Sequence, residues 1–157
     1  CGRSSLDALT ASGVKPVSFD GTKISGAVVS RLPDKLIETQ DIFGETGGLH
    51  AAALFDANGE FVDAKEDVGR HNAVDKLIGR KFLDSRLPLS SKVLFLSGRA
   101  SFELLQKAAA AGIPVVCAVG APSSLAIEAA IEFGITLVGF VRDGRFNVYS
   151  NEHRVIA

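Results

Sequence analysis

From Val93 onward the chain alternates short aliphatic runs with helical stretches, and this alternation narrows the possible folds more than any other feature. Val93 to Leu96, Pro114 to Val119 and Ile135 to Val141 are nearly continuous apolar runs, with Phe146 to Tyr149 after them. Ser101 to Ala111 and Ser123 to Phe133 lie between the runs and read as helices. Strands that are apolar throughout belong in a sheet covered on both faces, with a parallel portion whose crossover helices do the covering. Upstream, His50 to Phe55 and Glu60 to Ala64 flank Asn58-Gly59, a hairpin signal. Asn72 to Gly79 reads as a helix and Arg80 to Lys92 as a spacer. Ser25 to Ile42 reads as a further helix, kinked at Pro33 and ended by Thr46-Gly47-Gly48. The stretch to about Thr22 reads as a loop with a helical turn at Ser5 to Ala11. The expected fold class is α/β, a three-layer sandwich with a mixed sheet. Residues 1–22 form a flexible segment and 23–157 a single domain.

A chain of 157 residues is the size of one domain and long enough to close a hydrophobic core. Its net charge of -1 argues against general attraction to nucleic acid, while leaving room for a local basic pocket. No apolar run approaches the ~20 residues of a membrane helix, and no secretory signal opens the chain. Cys1 and Cys117 are too few for a disulfide framework and lack the paired spacing of a structural zinc site. A reducing, cytoplasmic setting is expected. The absence of methionine reads as the mark of a fragment or processed piece.

Polar groups concentrate where strands turn into helices, which is where ligands bind in open α/β sheets. The densest cluster is Glu66-Asp67-Val68-Gly69-Arg70-His71-Asn72-Ala73-Val74-Asp75-Lys76. Ser97 to Ser101 and Gly120 to Ser124 are two further turns of this kind. Helix N-termini present unpaired N–H groups to anions. Ser101 and Ser123 suit that role, and equally suit plain N-capping. Arg70, Arg99, Arg142 and Arg145 each sit near a strand end and within two residues of a glycine. Several guanidinium groups at one sheet edge suit a diphosphate. The alternative is scattered surface arginines paired with Glu66, Asp67 or Glu103. In Gly139-Phe140-Val141-Arg142-Asp143-Gly144-Arg145, an aromatic face beside two arginines can hold a purine and its phosphates. Its alternative is an ordinary hairpin with a core phenylalanine.

Cys1, followed by glycine, can expose a thiolate, whereas Cys117 within Val115-Val116-Cys117-Ala118-Val119 reads as a small buried hydrophobe. His50 and His71 are acid–base candidates or hydrogen-bonded structural residues. A zinc deaminase wants His-x-Glu at one helix start and Pro-Cys-x-x-Cys at the next. His71-Asn72-Ala73 and Arg99 to Glu103 lack that glutamate and both thiolates. No Gly-x-Ser-x-Gly and no phosphate loop ending in Gly-Lys-Ser/Thr occurs.

Together with Thr46 to Ala53, Ser97 to Lys107, Ala121 to Ala126 and Thr136 to Phe140, the Glu66 to Lys76 cluster resembles the formate dehydrogenase accessory sulfurtransferase family. The resemblance implies a cytidine-deaminase-like topology lacking the zinc site, and usually a homodimer. It implies a sulfur carrier that binds the molybdenum bis(molybdopterin guanine dinucleotide) cofactor. Sulfur would come from a cysteine desulfurase as a loop persulfide and pass to the cofactor before insertion into the formate dehydrogenase apoenzyme. Phe140, Val141, Arg142, Asp143, Gly144 and Arg145 match the family's guanine-dinucleotide segment, for which GDP is a partial mimic. Arg70, His71 and Arg99 are the further candidates for cofactor contacts, and Cys1 is the catalytic candidate. The family commonly carries Cys-Gly-x-Cys-Gly, and Cys1-Gly2 resembles its second half, so Cys1 is either a sulfur relay or dispensable. A non-catalytic carrier that shields the cofactor is the alternative function.

Overall fold

The computed structural model describes residues 7–8, 11–17, 21–39 and 48–157. Its centre is a six-stranded sheet. Strands β2 (His50–Asp56) and β3 (Phe61–Asp67) form the expected hairpin, closed by Asp56, whose carboxylate accepts from Asn58 and Glu60 N–H at 2.9 Å each. Next come helix α2 (Arg70–Leu83), β4 (Lys92–Leu96), α3 (Phe102–Ala110), β5 (Val115–Ala118), α4 (Ser124–Glu132), β6 (Thr136–Arg142) and β7 (Arg145–Ser150). Spatial order is β3-β2-β4-β5-β6-β7. β4, β5 and β6 run parallel, and antiparallel strands close both sides, so the sheet is mixed as expected. Outside it, β1 (Ile24–Ser25) pairs in parallel with β8 (Val155–Ile156), and α1 (Gly26–Thr39) follows β1.

Because successive strand residues point to opposite faces, the sheet buries two cores. Leu54, Leu94, Leu96, Val116 and Leu137 pack under α2, α3 and α4. Phe55, Val93, Phe95, Val115 and Cys117 pack under Val29, Leu32 and Leu36 of α1. The result is a three-layer sandwich with, among the described residues, α2, α3 and α4 on one face and α1 on the other.

Three boundaries differ from the sequence reading. β3 continues past Ala64 to Asp67, because Glu66 and Asp67 pair with Ala51 and His50 although they add no apolar signal. Helix α2 starts at Arg70 rather than Asn72 and passes Gly79 to end at Leu83, taking in the start of the expected spacer. A glycine inside a helix costs about 1 kcal/mol relative to alanine, too little to stop one anchored by buried Ala73, Val74 and Leu77. Pro33 lies inside α1. The expected turn at Ser5 to Ala11 falls largely outside the described residues, but Val14 and Val17 pack on the core and Val17 N–H donates to Phe133 O at 2.8 Å.

Candidate functional site

The carboxyl ends of β4, β5 and β6 meet the start of β2 and the end of β3 along one sheet edge. Beyond the strands, the backbone stays interlocked. Gly120 N–H donates to Gly98 O at 3.0 Å, Ser123 N–H to Ala100 O at 3.0 Å, and Phe140 N–H to Gly120 O at 3.2 Å. This approach needs glycine. A Cβ on Gly120 would meet Arg99 backbone at 3.1 Å, and one on Gly139 would meet Pro122 Cδ and Tyr149 Cε2 at 2.9 Å.

Arg70, at the first turn of α2, and Arg99, after β4, line one cleft of about 330 Å³ with Ala100, Ser101, Ala121, Pro122 and Ser123. Arg70 Nε is buried there and donates to no acceptor among the described residues. The two serines, equivalent in sequence, separate in structure. Ser123 caps α4 by accepting from Ala126 N–H at 3.1 Å. Ser101 makes no capping bond, and its hydroxyl lies beside Glu103. The Glu103 carboxyl is held below its ordinary range by its own backbone N–H, against the effect of burial, with help from Ser101 and His71. His71 Nε2 lies 3.8 Å from Glu103 Oε2, and His71 flanks this cleft without lining it.

The turn that delivers Arg70 is held by Asp67. Its Oδ1 accepts from Gly69 N–H at 2.9 Å and Asn72 Nδ2 at 3.2 Å, and its Oδ2 pairs with Lys76 Nζ at 2.6 Å. The Lys76 bond, then those from Gly69 and Asn72, pull the Asp67 carboxyl down to about 2.

A second cleft of about 300 Å³ is lined by Phe140, Arg142, Arg145, Phe146 and Asn147. The Arg142 guanidinium lies 5.6 Å from the centre of the Phe140 ring, within cation–π range. Asp143 and Gly144 form the tight turn between β6 and β7, with φ of 53° and 70°, as Asp-Gly turns favour. Phe140 itself has φ of 54°, an uncommon conformation for a bulky residue. It sits at a bulge: the pairing shifts between Gly139↔Asn147 and Arg142↔Arg145.

The ten residues singled out from sequence divide accordingly. Arg70 and Arg99 share one cleft, while Phe140, Arg142 and Arg145 share the other. Asp143 and Gly144 are exposed on the connecting turn. Val141 is a correction. It is fully buried with Val138 and Val115, so its side chain faces the core and not a ligand. Cys1 lies outside the described residues. Sequence reasoning missed Phe146 and Asn147 as lining residues and Asp67 and Lys76 as the frame of the turn. The last two stood in the densest polar cluster, which was the available signal.

The arginines do not pair with Glu66, Asp67 or Glu103. Asp67 is taken by Lys76 and Glu103 by His71, and none of Arg70, Arg99, Arg142 and Arg145 pairs with a carboxylate among the described residues. Cys117 is wholly buried, and burial pushes its thiol up to about 12. Among the described residues no three His, Cys, Asp or Glu side chains converge as metal ligands, and no helix is long and apolar enough to cross a membrane.

Comparison with known proteins supplies a second line of evidence. The family model described as the FdhD/NarQ family matches residues 1–156. The "Sulfur carrier protein FdhD" of Streptomyces coelicolor is 54% identical over 156 residues, 99% of this chain and 55% of that protein. The protein of the same name from Sulfurisphaera tokodaii is 47% identical over 99% of this chain and 59% of its own length. The chain thus spans rather more than half the length of these curated relatives. A crystal structure of a proposed formate dehydrogenase accessory protein from Desulfotalea psychrophila superposes with a TM-score of 0.77 at 30% identity, covering 86% of this chain and 57% of that one.

Proposed function

Because this chain belongs to the FdhD/NarQ family, we propose that it is the cargo-binding core of a sulfur carrier serving formate dehydrogenase. The cargo is the molybdenum bis(molybdopterin guanine dinucleotide) cofactor, an anionic ligand with purine ends. The observation that carries this reading is the set of four arginines at one sheet edge with no carboxylate partner among the described residues. Arginines left unpaired beside clefts, one with a buried Nε lacking an acceptor, suit phosphate groups that dock by parallel N–H···O bonds. Phe140, with Arg142 over its ring, offers a face on which guanine stacks. Arg70 and Arg99 would take phosphate or pterin-side oxygens in the neighbouring cleft.

The transfer half of the function belongs to a cysteine of the sulfur loop, Cys1 or one upstream of it in the family's Cys-Gly-x-Cys-Gly motif. Its thiolate attacks the terminal sulfur of a cysteine desulfurase persulfide. A new S–S bond forms as the donor's S–S bond breaks, and the donor leaves as a thiolate. The cargo, when bound, supplies the metal to which that sulfur passes. Cys117 takes no part, since a thiol held up to about 12 is not a nucleophile near neutrality. Full activity, a homodimer that presents two such edges, and a cytoplasmic setting belong to this same reading. So do the desulfurase and the formate dehydrogenase apoenzyme as partners.

The direct test is calorimetric titration with GDP, which carries the guanine and two phosphates of one cofactor arm. Saturable binding is expected, lost in Arg142→Ala/Arg145→Ala. Equal binding by that double variant would remove the second cleft from the reading. Replacing Cys1 and any upstream loop cysteine in the full-length protein then separates transfer from carriage alone: a variant that still matures formate dehydrogenase leaves only the shielding carrier, whereas loss of maturation together with persulfide supports transfer.

A further inference from the structure

Asp67 sits three residues before Arg70, at the other end of the Val68–Gly69 turn, and of all carboxylates it is the nearest in sequence to Arg70. No ion pair joins the two. Here both Asp67 oxygens are engaged elsewhere: Oδ1 with Gly69 N–H and Asn72, Oδ2 with Lys76. Lys76 comes from one and a half turns further along α2 and also donates to Glu66 O at 3.1 Å, so it is tied to the end of β3 at two points. Meanwhile Arg70 Nε is buried in the first cleft without an acceptor.

We infer that Asp67 and Lys76 are positioning residues. Asp67 fixes the turn that points Arg70 into its cleft, and Lys76 occupies the carboxylate so that Arg70 remains available to an anionic ligand. This rests on the reading of the Arg70–Arg99 cleft as a phosphate site. The pair solves a specific problem: a carboxylate is the best acceptor for the backbone of this turn, yet an unanswered carboxylate beside the cleft would compete with the ligand for Arg70.

The consequence is a sign pattern that a merely structural role does not produce. Lys76→Met leaves Asp67 charged and free, and its affinity for inorganic pyrophosphate should fall about tenfold, the usual worth of one charge-assisted hydrogen bond. Adding Asp67→Asn removes the competing charge while keeping an acceptor for Gly69, and should restore affinity to near that of the unmutated chain. Lys76→Arg should also retain it. Lys107→Met breaks the neighbouring 2.6 Å pair with Asp75 and deletes the same net charge, and should change affinity little.

Calorimetric titration of these variants with pyrophosphate, each checked for its fold by circular dichroism, decides the matter. Loss in Lys76→Met with recovery in Asp67→Asn/Lys76→Met supports the inference. Overturning it takes no loss, loss without recovery, or an equal loss in Lys107→Met. If Lys76→Met does not fold, the Asp67→Asn single variant still reads the same point, since it must bind pyrophosphate at least as tightly as the unmutated chain. No pyrophosphate binding by the unmutated chain, or binding unaffected by Arg70→Ala, would instead remove the phosphate reading of the cleft, and the inference with it.

Discussion

Asp67 and Cys117 depart from their ordinary ionisation for opposite reasons, and each departure can be measured. The Asp67 carboxyl falls from 3.8 to about 2 because Lys76, Gly69 and Asn72 all favour its charged form. A group with a lowered folded-state pKa contributes stability that is complete above the unfolded value and is lost as pH falls through the folded one. Denaturant melts between pH 5 and pH 2 should therefore show stability dropping from about pH 4 downward, and Asp67→Asn should flatten that drop. Cys117 moves up from 9.0 to about 12 because no charge can be accommodated among Val93, Val115 and Val138. In a Cys1→Ala background, a thiol reagent at pH 8 should label nothing until denaturant is added. Rapid labelling under native conditions would contradict the burial. The fate of Cys117 was legible from its run of apolar neighbours. Asp67 was not, because its partner lies nine positions away and only the helix brings it back.

At the level of single elements, the bulge in β6 explains why Val141 was misjudged. Strict alternation would set Phe140 on the face of Val138 and Val141 on the opposite one. The extra residue between Gly139 and Arg142 reverses that parity, so Val141 joins Val138 in the core and Phe140 lines the cleft. A glycine at the left-handed position would have announced the bulge; phenylalanine conceals it. A left-handed conformation costs a non-glycine residue about 1–2 kcal/mol. Phe140→Gly should therefore hold or raise thermal stability while abolishing GDP binding, two readouts that part company only if strain is retained for the ligand's sake. Gly139→Ala should do the reverse to the scaffold. Its methyl would press on Pro122 and Tyr149 at 2.9 Å, and overpacking of this kind costs about 1–3 kcal/mol in denaturant melts.

Across the whole molecule, the three layers and the parallel portion of the sheet followed from the pattern of apolar runs, because strands apolar throughout must be covered on both faces. The unequal covering did not follow. Among the described residues, three helices lie over one face, and α1, with Ile24 of β1, covers the other through Val29, Leu32 and Leu36. Truncating Leu32, fully buried at the centre of that contact, should cost about 2–5 kcal/mol by chemical denaturation. The clefts lie at the sheet edge, so GDP affinity should survive wherever the variant remains folded. Arg70, Arg99, Arg142 and Arg145 could be shortlisted from sequence by their place near strand ends. That none of them pairs with a carboxylate among the described residues could not, since Asp67 meets Lys76, and Glu103 meets His71, only in the folded chain.

Gly120 meets one lining residue of each cleft, packed against Arg99 on one side and accepting from Phe140 N–H on the other. A backbone hydrogen bond thus ties the strand that carries Phe140 to the turn beside Arg99. A molecule that reached from Phe140 to Arg70 would be selected by its length as well as its chemistry, since the two ends are carried by backbone bonded together and not by independent loops.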